Sequence, residues 1–378
     1  MTPTSNSVPA RYMRGGTSKG LFLDPAVLPN AGPDRDALLA ALIGSPDPYG
    51  RQLDGLGAAT SSTSKVCLVA RSNRVDADVD FTFGHIDIAS GQIDYSGNCG
   101  NLSAAVGVYA IEAGLITPVP PVTKVRVWQT NLARHLAVHV PVTGNGDVIS
   151  RGDTQIAGVP RCGAEIKVDF LLPGYDDAGH VLPTGETVTE ISDGTSKIEA
   201  SLVHAGNATV FVRARDLGLS GSELPATIED NTEVKTRLEN LRCAGAVAMG
   251  LGENDAWVHQ HRPATPKIAL VAPPAPYTTS DGTTLSEKQI DIRSRIMSMG
   301  LAHHTYTGTG AIAIAVAARI PGTLVQECTA AGGVLRIGHP AGVLPAAAEM
   351  RPGKRPVALS ARLFRTARTL MVGEVPLP

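Results

Sequence analysis

The chain has 378 residues, a formal net charge of −2, 40 glycines, 27 prolines and only 4% aromatic residues. That length exceeds one ordinary core and predicts two domains, and the near-balanced charge excludes nucleic acid or an anionic membrane surface as the main partner. Five widely spaced cysteines, Cys67, Cys99, Cys162, Cys243 and Cys328, form no Cys-x-x-Cys pair and no zinc-finger spacing, which disfavours a disulfide framework or a structural zinc site. Met1 to Arg14 lacks a signal-peptide pattern, and the longest apolar stretch, Ala311 to Ala318, is far shorter than a membrane span. The expectation is a reduced, cytoplasmic protein with no membrane partner.

Taken in chain order, the predicted elements occur twice. A Gly-rich turn leads into the buried strand Gly20-Leu21-Phe22-Leu23, and its echo Thr209-Val210-Phe211-Val212 follows His204-Ala205-Gly206-Asn207. Ser64-Lys65-Val66-Cys67-Leu68-Val69-Ala70, a lysine opening an apolar strand, matches Pro266-Lys267-Ile268-Ala269-Leu270-Val271-Ala272. Cys99-Gly100-Asn101 and Thr307-Gly308-Thr309-Gly310 each open a helix of small apolar residues, predicted over Leu102 to Ala113 and Ala311 to Ile320. Val125-Arg126-Val127 aligns with Leu335-Arg336-Ile337, and strands around Ile166 to Leu172 and Val357 to Met371 close the halves. Short apolar blocks match by chance, but five in one order do not. The reading is an α+β protein of two β-barrel-like lobes, 1–185 and 186–378, each around a buried central helix. The Pro- and Gly-rich stretch Leu172 to Gly185 is read as the connection, and the last strand is left free to pack back on the first lobe.

A helix N-terminus carries partial positive charge and four unpaired N–H groups, so the two glycine-bearing turns are natural anion sites. If the halves face each other, the turns converge on one cleft and suit a di- or tricarboxylate. Neither has the arrangement of a phosphate-binding loop. Cys99 at such an end is a candidate for a depressed thiol pKa and for proton transfer; the other cysteines read as inert core. Its counterpart Thr307 cannot serve as a thiolate, which argues against a symmetric two-thiol epimerase. Lys65 is the candidate base, against the commoner fate of a surface lysine. Lys267 is expected to pair with a substrate carboxylate, and Arg14 is a carboxylate-clamp candidate.

Met13-Arg14-Gly15-Gly16-Thr17-Ser18-Lys19-Gly20, Gly44-Ser45-Pro46-Asp47-Pro48-Tyr49-Gly50, Ser61-Ser62-Thr63-Ser64-Lys65, Ser96-Gly97-Asn98-Cys99-Gly100-Asn101-Leu102, Ser298-Met299-Gly300 and Ile320-Pro321-Gly322-Thr323 resemble the signature stretches of the PrpF family of 2-methylaconitate cis-trans isomerases, from about residue 8 to the C-terminus. The resemblance implies a diaminopimelate epimerase-like fold with the active site between two similar lobes, and isomerisation without cofactor or metal. It places a catalytic lysine and cysteine on Lys65 and Cys99, and substrate contacts on Arg14, Gly16, Thr17, Ser18, Lys19, Ser64, Asn98, Gly100, Asn101, Ser298, Met299, Thr307, Gly308, Thr309 and Gly310. Tyr95, where the family pattern has tryptophan, and the variant stretches His204 to Ala208 and Thr305 to Gly308 put the substrate in question more than the chemistry.

The expected reaction is an allylic 1,3 proton transfer on an unsaturated tricarboxylate, foremost 2-methylaconitate in the 2-methylcitrate cycle of propionate catabolism. Within the same family, 4-oxalomesaconate tautomerisation and aconitate or methylitaconate isomerisation are the alternatives. Amino-acid epimerisation and a non-catalytic tricarboxylate sensor are the rivals from outside it. A small di- or tricarboxylate is the expected partner, with a homodimer left open. His303 and His304, read as strand neighbours facing opposite ways, are assigned packing or substrate hydrogen bonding rather than metal binding.

Overall fold

The computed structural model describes residues 7–329 and 333–377. In chain order it contains β1 (Ser7–Gly15), β2 (Ser18–Leu23), α1 (Pro33–Ile43), β3 (Lys65–Arg71), β4 (Val79–Ile86), β5 (Ile93–Asp94), α2 (Gly100–Glu112), β6 (Val122–Gln129), β7 (Arg134–Pro141) and β8 (Ile166–Leu171). There follow β9 (Thr189–Ser192), β10 (Lys197–Ala205), β11 (Asn207–Arg213), α3 (Pro225–Glu229), α4 (Thr232–Ala248), α5 (Asp255–His261), β12 (Lys267–Ala272), β13 (Tyr277–Thr278) and β14 (Thr284–Leu285). The chain continues with β15 (Ile292–Ser298), β16 (Leu301–Ala302), α6 (Gly308–Ala317), α7 (Leu324–Glu327), β17 (Leu335–His339), β18 (Gly342–Arg351), β19 (Val357–Arg365) and β20 (Ala367–Pro376). It divides into two units, residues 1–168 with 364–378, and residues 169–363.

The division falls before the expected boundary at 185. The Pro- and Gly-rich passage read as a connection is tied into the second unit: the Gly206 N–H donates to the Pro173 carbonyl, the His204 N–H to that of Val181, and His180 bridges to Val357. Its composition marks turns inside that unit, not a linker.

In the first unit β1 pairs antiparallel with both β2 and β20, β2 runs parallel to β3, β3 antiparallel to β4, β4 parallel to β6 and β6 antiparallel to β7. The second unit repeats this with β10, β11, β12, β15, β17 and β18. Register proves the equivalence. Leu21 lies opposite Val66 just as Val210 lies opposite Ile268, and Val79 opposite Val127 as Ile292 opposite Ile337. Even side-chain braces are repeated: Arg126 grips Asp78 at 2.7 Å and Arg336 grips Asp291 at 2.6 Å.

The strands of each unit are covered on both faces, which explains the unbroken apolar runs. In the first unit Leu21, Leu23, Val66 and Leu68 pack with Leu39, Leu42 and Ile43 of α1. The alternate face turns toward α2, where the Phe22 and Tyr109 rings lie 5.7 Å apart. In the second unit Leu202, Val210, Ile268 and Leu270 pack with Leu238 and Leu241 of α4. Residues 100–111 of α2 and all of α6 are buried. Both helices begin earlier than predicted, at Gly100 and Gly308, so the glycine turns are their first turns. The helical segment α3 to α5 is foreshadowed by no repeated block; it lies between β11 and β12, where the first copy has α1 between β2 and β3.

Candidate active site

Lys65 opens β3 beside β2, and only 5% of it is exposed. Its Nζ donates to the Ser18 hydroxyl at 3.2 Å and to the Cys99 sulfur at 3.5 Å, and lies 5.9 Å from the centre of the Phe83 ring. Cys99 is the N-cap of α2. Extended at φ −111° and ψ 96°, it places its sulfur to accept the Leu102 N–H at 3.5 Å, while Asn98 Oδ1 accepts the Cys99 N–H at 2.6 Å. A primary amine and a thiol thus meet at the positive end of a buried helix. Both groups are of the acid–base type that can take a proton from, or return one to, a carbon bound beside them.

The β1–β2 turn is seated on the same helix end. Gly16 adopts φ +48°, and a Cβ there would fall 2.4 Å from Asn101 Oδ1, so both backbone shape and space demand glycine. Thr17 Oγ1 accepts from Asn101 Nδ2 at 3.2 Å. Arg14 Nη1 donates to the carbonyls of Gly16 and Thr366, which makes this nitrogen a brace of the turn and leaves Nε and Nη2 for the expected clamp. Lys19 does not join the cluster. Strand alternation turns it away from Ser18, and its Nζ sits 5.5 Å over the Tyr12 ring. Ser64 is fully buried, and its hydroxyl meets Gln52 Oε1 and the Thr60 carbonyl, each at 2.9 Å, so it ties down the preceding loop.

In the second unit Lys267 is equally buried and donates to Ser298 Oγ at 3.2 Å and to the Ala264 carbonyl at 3.1 Å. Met299 and Gly300, both with positive φ, form the two-residue turn between β15 and β16. Thr307 caps α6, its Oγ1 accepting the Gly310 N–H at 3.1 Å, and Gly308 and Thr309 are buried in the first turn. The second unit therefore keeps a buried lysine with a hydroxyl partner but has a hydroxyl cap in place of the thiol.

Two residues escaped the sequence reading. Gln52, buried at φ +51°, carries no motif signal of its own. Arg365 is 1% exposed and donates from Nε to Asn101 Oδ1 at 2.9 Å, across 264 positions of sequence. Cys67, Cys243 and Cys328 are buried as expected, but Cys162 is exposed. Burial pushes the Cys67 thiol well up, with Cys99 adding to the rise and Lys65 opposing it. His303 and His304 lie in the loop after β16, not on a strand, and their rings stack at 4.9 Å instead of pointing apart. Glu239, Cys243 and His259 bring ligand-type atoms within 4.8 Å, but Arg242 already spans Glu239 with contacts of 2.8 and 2.6 Å, and burial pushes the Cys243 thiol up to about 12.

The chain and its fold have relatives. Residues 5–378 match the family described as PrpF protein. A 2-methyl-aconitate isomerase of Shewanella oneidensis is 43% identical, with all of this chain and 98% of the relative covered. A 3-methylitaconate isomerase of Eubacterium barkeri is 39% identical over 97% of this chain and 96% of its own. A crystal structure of methylitaconate-delta-isomerase superposes with a TM-score of 0.78 at 38% identity, covering 98% and 96% of the two chains. A hydroxyproline epimerase from Agrobacterium vitis shares the fold alone, at a TM-score of 0.59 and 14% identity. The protein is an isomerase with the duplicated α+β architecture of the diaminopimelate epimerase-like fold. It belongs to the PrpF family.

Proposed function

We propose that the protein isomerises an unsaturated tricarboxylate, 2-methylaconitate first, by allylic 1,3 proton transfer without a redox or metal cofactor. The observation that carries this reading is the Lys65 amine 3.5 Å from the Cys99 sulfur at the N-terminus of α2. Relatives named 2-methyl-aconitate isomerase, 43% identical, support the choice of substrate.

The Lys65 amine, as free base, takes the proton from the carbon next to the double bond. The electron pair moves into the conjugated system and onto a carboxylate oxygen that the N–H groups at Gly100 and Asn101 stabilise. The former double bond, now single, rotates; a proton returned by the Lys65 ammonium, or by Cys99 with the Lys65 proton then passing to its thiolate, re-forms the alkene in the other geometry. One proton leaves and one returns, and no electron is gained or lost. Ser18 and Thr17 orient the bound acid. For the second-unit cluster of Lys267, Ser298 and Thr307 to Gly310 we assign carboxylate binding rather than proton transfer, because its cap lacks a thiol.

Incubating the protein with the isomers of aconitate, methylaconitate, methylitaconate and oxalomesaconate in deuterated buffer, followed by proton NMR, reads substrate and exchange site together. The expected outcome is conversion and solvent deuterium uptake fastest for 2-methyl-trans-aconitate. Fastest turnover of another acid in the panel would reassign the substrate within the family. Lys65→Ala is expected to lower kcat by about a thousandfold. A variant retaining most turnover would remove Lys65 from its role.

A further inference from the structure

Arg365 ends β19 just before the chain enters β20, and belongs by contacts to the first unit. Burying a guanidinium is costly unless its charge is matched, yet none of the described carboxylates bonds to it. Its Nε is spent on Asn101 Oδ1 and its Nη1 on the Phe364 carbonyl at 2.9 Å; Nη2, sealed from solvent, bonds to nothing among the described residues. Its Cδ would lie 2.8 Å from a Cβ on Gly16, so it backs both the turn and the helix end that the proposed substrate uses.

We infer that Arg365 is a positioning residue of the active site, a fixed buried cation whose counter-charge is the substrate carboxylate bound at the α2 N-terminus, and which acts on it through Asn101. This rests on the tricarboxylate reading above and says which charge draws the anion there. The Arg365 Nε–Asn101 Oδ1 bond also fixes the Asn101 amide so that Nδ2 faces Thr17, setting the donor side of the site. Burial lowers the guanidinium pKa to about 10, and Cys99 pulls it back up, so the group is cationic at neutral pH and electrostatically linked to the reacting sulfur.

The test measures the Kd of tricarballylate, a saturated tricarboxylate that cannot isomerise, by calorimetry on wild type, Arg365→Met and Arg365→Lys, alongside kcat, KM and thermal unfolding. The expected result is a Kd raised on the order of tenfold in Arg365→Met and largely restored in Arg365→Lys, with KM following Kd. A brace that only holds the fold would instead lower the melting temperature and leave the Kd of the folded protein unchanged. Should Arg365→Met not fold, Arg365→Gln, which keeps a donor for Asn101 without the charge, carries the same comparison. Wild-type affinity in the uncharged variants, or a lysine variant as defective as methionine, overturns the inference. If wild type binds tricarballylate but isomerises none of the acids, the proposed tricarboxylate reaction falls while Arg365 is still decided; if wild type does not bind it at all, both fall.

Discussion

At the scale of single residues, the candidate site crowds buried polar groups, Ser18, Lys65 and Asn101, around the Cys99 sulfur. Lys65 is held by a hydroxyl, a sulfur and an aromatic face, and each contact comes from a different strand, loop or helix. Gly16 shows how little slack remains: Gly16→Ala would put a methyl carbon against Asn101 Oδ1 and hold a β-carbon residue at positive φ. That strain is expected to cost about 1–3 kcal/mol, read by urea unfolding, and to lower kcat/KM along with it because the turn carries Thr17. An unchanged unfolding midpoint would show that the turn relaxes freely. Lys65 is legible because it opens an apolar run after a Ser/Thr-rich turn, and Cys99 and Asn101 because they flank Gly100 at the first turn of a small-residue helix. Lys19 shares its motif with Ser18 but not its direction: it is the next residue along β2, and the two-residue period of a strand sends it to the other face.

At the scale of elements, the turns and braces carry predictions of their own. Asp193, in the turn between β9 and β10, is fully buried, and burial alone would push its carboxyl up. Bonds from the Ser196 N–H, the Thr195 hydroxyl and N–H, and Arg237 outweigh this and hold it well below the usual carboxylate range. Because the folded state binds that proton more weakly than the unfolded chain, the stabilisation is complete above the ordinary aspartate pKa of about 3.9 and fades as pH falls below it. Asp193→Asn is expected to cost about 2 kcal/mol at pH 7, with the gap to wild type narrowing in acid, checked by urea unfolding at several pH values. A gap that is constant with pH would sink this account. Strand identity is readable from apolar runs and the lysines that open them. The helices α3 to α5 are not, since no repeated block marks their segment.

At the scale of the whole chain, the first unit is completed by the last residues. β20 pairs with β1 from Ser7 to Gly15, and Arg365 precedes it. Ending the chain at Leu363 should therefore leave β1 with an open edge and α2 without part of its cover. The expected result is loss of the cooperative thermal transition of the first unit and dye binding typical of exposed apolar surface. A truncated protein that melts like the full chain and still binds tricarballylate would contradict both this dependence and the role given to Arg365.

The sequence by itself determined the duplication, the paired lysines, the two capped helices and the family, because each rests on local features: a lysine before an apolar run, glycines where backbone must turn, small residues along a buried helix. Tertiary structure alone decided which polar groups meet. Ser18, Lys65 and Cys99 come together because β2 runs beside β3 and α2 packs on those strands, and Arg365 reaches Asn101 because the chain's end returns to its beginning. No local pattern records such a return. The energy that enforces it comes from covering both faces of a sheet, a property of the assembled unit and not of any segment.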